Sequence, residues 1–146
     1  MPHSLAPLSL APMGTLTVFI DRSWDFSGPI WGRSCSAFRE AVWDCDEFQL
    51  RSVWANGTYT RGADVAQVNV RVMFQGAGDL LVYVDYLARG DLPLHIEGRA
   101  PVIMTGRVEI DEKHERHRWL NRTQVVGRGM LDMALRTQTY EMYALR

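Results

Sequence analysis

Through much of the chain apolar and polar residues alternate with a period of two, as strands with one covered face require. Residues 65–74 show it most cleanly. Ala66, Val68, Val70, Val72 and Phe74 point one way, and Gln67, Asn69, Arg71 and Met73 the other. The glycine-rich run Gln75-Gly76-Ala77-Gly78-Asp79 supplies a turn, and residues 80–88 return with Leu80, Val82, Val84 and Tyr86 on one face. Further strands are expected at 15–20, 34–43, 48–54, 102–110, 119–129 and 136–145. Asn56-Gly57 is the strongest short hairpin signal in the chain. Residues 37–46 have a helical alternative, since Phe38, Ala41, Val42 and Cys45 would share one helix face. Elsewhere no amphipathic helical pattern outlasts about two turns.

Seven to nine strands with short links make a barrel or a sandwich. A barrel is favoured because several strands carry Arg, Asn, Tyr or Asp opposite their apolar face, and such residues line the partly polar lumen of ligand-holding barrels. Alternation alone leaves open whether these polar faces look inward or outward. The expectation is all-β: one antiparallel up-and-down β-barrel of about eight strands over residues 15–146, with a central cavity. Residues 1–14, interrupted by Pro2, Pro7 and Pro12, read as a loose tail.

Composition narrows the partners. With 146 residues and a formal charge of −1, the chain offers no basic surface for nucleic acid. No apolar run approaches the ~20 residues that span a bilayer as a helix. The N-terminus lacks the basic start of a signal peptide, so a cytoplasmic location is expected. Cys35 and Cys45 read as free thiols. Every basic residue except Lys113 is arginine, and four of the 5 Trp (Trp24, Trp31, Trp43 and Trp54) fall early in the chain.

The last third carries a resemblance. Trp119-Leu120-Asn121-Arg122, then Val126-Gly127-Arg128-Gly129 and the closing Tyr140-Glu141-Met142-Tyr143-Ala144-Leu145, resemble the end of domain-of-unknown-function family 3237. The resemblance implies a calycin-like, lipocalin-like barrel with a central cavity. It also implies an acidic residue near the second hairpin: Glu47 in one register and Asp64, in Gly62-Ala63-Asp64, in another.

The candidate chemistry starts from the acidic knot of Asp44, Asp46 and Glu47 between Trp43 and Phe48. Carboxylates crowded beside aromatic surface are pushed toward neutral-pH acid–base work. Glu47, then Asp46, are the candidate proton carriers, and the competing reading is an exposed acidic turn. Trp119 and Asn121 share a strand face in this reading, a ring wall beside an amide that meets a carbonyl or hydroxyl; the alternative is a barrel plug and a satisfied backbone. Arg71 with Tyr83, beside Asn69 and Asp85, would hold an anionic group, or else be a solvated cross-strand pair. Trp43 would complete the aromatic wall. His114 and His117, in the charged loop 111–118, fit a solvated loop better than a metal site. His95 and His3 read as surface or internally satisfied histidines. Gly76-Ala77-Gly78 and Gly127-Arg128-Gly129 lack the strand-to-helix setting of phosphate loops.

The expected function is therefore cofactor-independent proton transfer (isomerase, cyclase or hydro-lyase chemistry) on a small apolar or aromatic metabolite, with no metal. The rival is a non-catalytic ligand-binding barrel, a carrier or sensor. A homodimer is expected only because closed two-fold dimers are the commonest assemblies.

Overall fold

The computed structural model describes residues 5–146. Eight strands follow one another: β1 (Leu10–Ser27), β2 (Gly32–Asp44), β3 (Gln49–Arg61), β4 (Val65–Gln75), β5 (Leu81–Asp91), β6 (Arg99–Ile110), β7 (Gln124–Asp132) and β8 (Thr137–Leu145). Each pairs antiparallel with the next, and β8 returns to β1 from Leu10↔Leu145 to Phe19↔Thr137, which closes the barrel. One helix, α1 (Leu92–Glu97), links β5 to β6, and a 3-10 helix (Arg118–Arg122) lies between β6 and β7.

The question that alternation left open is answered by burial. Val68, Val70, Val72 and Phe74 on β4 and Val82, Val84 and Tyr86 on β5 fill the lumen, while Asn69, Arg71, Tyr83 and Asp85 sit on the outer face. The turns alternate between the two ends of the barrel. At one end, Trp43, Leu50, Phe48, Phe74 and Leu120 fill the interior, with the Trp43 ring 5.1 Å from Phe48 and 6.3 Å from Phe74. Midway, a polar knot interrupts this apolar filling: the hydroxyls of Tyr86 and Tyr140 donate to Gln138 Oε1 at 3.2 and 3.1 Å. At the other end α1 lies across the mouth.

Several elements differ from the sequence pattern, each for a local reason. β1 starts at Leu10, inside the stretch expected to be loose, because Leu10, Ala11 and Pro12 pair with the end of β8. His3 lies outside the described residues. Residues 37–44 belong to strand β2 and not helix, paired with β1 and, at Ala37 and from Val42 on, also with β3, which commits their backbone groups to the sheet; Cys45 and Asp46 begin the turn that follows. Asn56-Gly57 does not turn. Both sit within β3, where a Cβ on Gly57 would come 2.6 Å from the Phe38 ring, so this glycine makes room for a neighbour. The turn falls later, closed by the Gly62 N–H donating to the Val65 carbonyl at 2.9 Å. Trp119–Arg122 is 3-10 helix, not strand.

The helix absent from the period-two pattern has its own signals. Asp91 caps α1, accepting from the Leu94 N–H at 3.0 Å, Pro93 stands in the first turn, and Gly98 ends it at φ 96°, a left-handed conformation natural to glycine.

Candidate functional site

α1, the β1–β2 hairpin and the β7–β8 turn frame a cavity of about 220 Å³ at the mouth of the barrel. This lies below the ~300–1,000 Å³ typical of drug-sized sites and suits a compact molecule. Its walls are mainly apolar, with Ile20, Phe38, Val68, Leu131, Met133 and Ile96 among them. Against that surface stand a few polar groups.

Tyr59 is their centre. Strand alternation points it into the lumen beside Ser34 of β2 and Val68 of β4. The His95 ring, carried down by α1, stacks on it with centroids 5.6 Å apart and planes 13° from parallel. The Arg61 guanidinium lies 5.9 Å from the same ring, and Asp25 enters the cavity from β1. Burial raises the Tyr59 pKa; Arg61 opposes that shift and the Asp25 charge adds to it.

His95 is 6% exposed, and neither ring nitrogen has a hydrogen-bond partner among the described residues. Burial lowers its pKa and the Asp91 charge opposes that, so the ring is uncharged near neutral pH. Buried imidazole nitrogens without partners are costly, and such groups mark places where a ligand or solvent completes the arrangement. Neither Arg61 nor Asp25 takes part in an ion pair among the described residues; the one hydrogen bond of the guanidinium is a 3.5 Å contact to the Phe26 carbonyl. Gln138 spends its oxygen on two tyrosine hydroxyls, which leaves its amide N–H groups unspent, and the residue lines the cavity. The mouth thus gathers a neutral imidazole, a carboxylate, a guanidinium and an amide around one aromatic ring.

The residues expected from sequence lie elsewhere. Asp46 and Glu47 form the exposed β2–β3 turn, at the end of the barrel opposite the cavity. There Glu47 Oε2 sits 3.7 Å from Arg116 and 3.6 Å from His117 Nδ1, and His117 packs edge-on against Phe48. Asn121 holds the backbone at that same end. Its Oδ1 accepts from the Ile110 N–H at 2.7 Å, and Nδ2 donates to the Ile110 carbonyl at 2.8 Å and to Glu112 at 3.1 Å. Trp119 is half-buried beneath the Arg146 guanidinium, 4.4 Å from its ring. Trp43 is fully buried and donates Nε1–H to the Met13 carbonyl at 2.7 Å. Arg71 and Tyr83 are on the outer wall, where Asp85 pairs with Arg107 at 3.5 Å. Asp64 lies in the β3–β4 turn at the mouth end, and its carbonyl accepts the Leu92 N–H at 2.9 Å, tying down the start of α1. None of these side chains lines the cavity: the strand faces and the two ends of the barrel separate the others from it, and Asp64, though at the mouth end, serves there through its backbone carbonyl. Among the described residues no three His, Cys, Asp or Glu side chains converge as a metal site. Nor is any helix among them long and apolar enough to cross a membrane.

The molecule is thus a closed eight-stranded up-and-down β-barrel with one plugged end and a ligand-sized cavity at the other. No family model matches the chain, and no curated protein matches it in sequence. Solved structures share its fold. A conserved protein of unknown function from Rhodopseudomonas palustris superposes with a TM-score of 0.84 at 12% identity, over 97% of this chain and 100% of that one. A beta-barrel like protein from Acinetobacter baumannii AYE gives 0.81 at 16% identity, over 99% of both chains. A protein described as an enzyme, from Penicillium herquei, gives 0.72 at 11% identity over the full length of both. At these identities the likeness is one of fold.

Proposed function

We propose that this barrel is a cofactor-independent enzyme that moves protons on a small, largely apolar or aromatic metabolite held in the mouth cavity. The reaction class is isomerisation, cyclisation, or addition and elimination of water. The observation that carries the reading is His95, a buried neutral imidazole with two unpartnered nitrogens, stacked on Tyr59 in the cavity wall. In this reading a planar substrate lies against the Tyr59–His95 stack and supplies the partner that His95 lacks. His95 takes the proton and, once protonated, returns it to the substrate at its new position, while the Gln138 amide and Arg61 guanidinium meet the substrate oxygen as negative charge grows on it. One further point is in keeping with the proposal, that a protein of the same fold is described as an enzyme; on the Trp119–Arg122 and Val126–Gly129 motifs alone we also propose kinship with domain-of-unknown-function family 3237. We place the protein in the cytoplasm on the same footing.

The test begins with small aromatic ketones and phenols that quench the intrinsic tryptophan fluorescence. Bound compounds are then incubated in deuterated buffer, and NMR follows deuterium entering at carbons next to the carbonyl or hydroxyl. His95→Gln is expected to slow exchange about 10²–10⁴-fold, the usual contribution of a general base, with affinity held within a few-fold. Binding with neither exchange nor conversion for any compound would establish the carrier instead.

A further inference from the structure

Beyond Phe19 the first strand leaves its partner β8, which begins only at Thr137, while β1 continues to Ser27 beside β2. Among the described residues the stretch Arg22–Ser27 therefore has one paired edge and one open edge, and all of its residues are exposed. Its open backbone groups can be identified. The Gly28 N–H donates to the Trp31 carbonyl across the β1–β2 turn at 2.9 Å. Counting back along an antiparallel ladder, Phe26 and Trp24 direct N–H and C=O toward β2, and Ser27, Asp25 and Ser23 direct theirs outward. Long open edges are normally blunted by Lys, Pro or a covering segment. This one carries Trp24 at 55% and Phe26 at 56% exposure instead.

We infer that this open edge of β1 is a homodimer interface, in which Arg22–Ser27 of two copies pair antiparallel about a two-fold axis at Trp24. Charge selects the register. A like pairing of residues that share both outward groups and side-chain face requires partners whose numbers sum to an even value. An axis at Arg22 sets two guanidiniums opposite each other, and one at Ser23 carries Asp25 against the bulge at Asp21, where the regular ladder ends beside a second carboxylate. An axis at Asp25 opposes that carboxylate to itself. Such like-charge pairs are unfavourable. Axes at Trp24 and at Phe26 avoid all three, but the Phe26 axis sets Trp24 against Gly28 of the β1–β2 turn, and only the Trp24 axis pairs Arg22–Phe26 over its whole length. It sets Trp24 against its copy, Arg22 over the second copy's Phe26 as a cation–π pair, and the Ser23 hydroxyl against the second copy's Asp25 carboxylate. Ser23 and Asp25 also line the cavity, so the pairing covers the open side of each mouth.

Sedimentation velocity at rising protein concentration tests this without any ligand, and so independently of catalysis. The wild-type chain is expected to sediment at twice its monomer mass. Ser23→Pro removes an outward N–H and the exposed hydroxyl contact to Ser36 but no ladder bond to β2, and Trp24→Asp places two carboxylates on the axis; both are expected to give monomers with unchanged far-ultraviolet circular dichroism. The register has its own readout. In a Cys35→Ser, Cys45→Ser background, Trp24→Cys is expected to cross-link to its copy on mild oxidation, since a non-hydrogen-bonded antiparallel pair has disulfide-compatible spacing, and Phe26→Cys is not. A wild-type monomer at every concentration overturns the inference, as does a dimer that survives both edge variants or cross-links through position 26 alone.

Discussion

Asn121 illustrates how a residue type can suggest chemistry and serve architecture. Its amide meets both backbone groups of Ile110 and reaches Glu112, so the loop after β6 is clamped to the strand it leaves. Each such bond contributes about 0.5–1.5 kcal/mol, and orphaning the part-buried Ile110 groups adds to the loss. Asn121→Ala is therefore expected to destabilise the fold by about 2–3 kcal/mol in urea titration. Ligand affinity at the mouth should stay unchanged, because the clamp lies at the plugged end. A loss of affinity at constant stability would instead return Asn121 to the site. The same comparison explains what sequence conceals at this scale. Glu47 and Asp46 stood out because they cluster along the chain, whereas Tyr59, His95, Arg61, Asp25 and Gln138 come together from four separate elements. His95 carries no local mark of function; only α1 brings it onto Tyr59.

At the scale of elements, strands were legible where both the lumen and the solvent acted on the pattern. In β4 and β5 every second residue is driven inward, and the alternation gives the burial directly. It fails for the β1–β2 hairpin beyond Phe19, since that arm leaves the closed barrel and neither face is fully covered. It fails also for Gly57, where close packing by Phe38 imitates a turn signal. α1 was not expected from the pattern, because its marks, the Asp91 cap, Pro93 and Gly98, report backbone requirements in place of hydrophobic period. Because this short helix has few contacts, its cap matters. Asp91→Ala removes the acceptor for the Leu94 N–H and should cost about 1 kcal/mol. It also removes the charge that favours protonated His95. NMR titration of the His95 ring is expected to show a still lower pKa in this variant, with faster amide exchange across 92–97. An unchanged His95 titration would mean that Asp91 acts on the helix only through its backbone bond.

For the whole molecule, the two ends of the barrel respond to acid in the same sense. His95 at the mouth and His117 at the plugged end both titrate below the usual histidine range, in each case chiefly because burial penalises the charged ring. Glu47 opposes the shift at His117 and Asp91 opposes it at His95. In the unfolded chain both rings take up protons near pH 6.5. Between that value and their lower folded values, the unfolded state binds more protons than the folded one. Stability is then complete above about pH 6.5, falls as the pH drops below it, and levels off once the folded rings are protonated too. Thermal melts from pH 8 to 5 should therefore show a melting temperature that is flat at first and then declines. His95→Gln and His117→Gln should each flatten part of that decline, and the double variant more than either, because the two rings lie at opposite ends and act independently. A decline of undiminished slope in the double variant would assign the acid sensitivity to the carboxylates, and would leave the unpartnered nitrogens of His95 without energetic consequence for the fold.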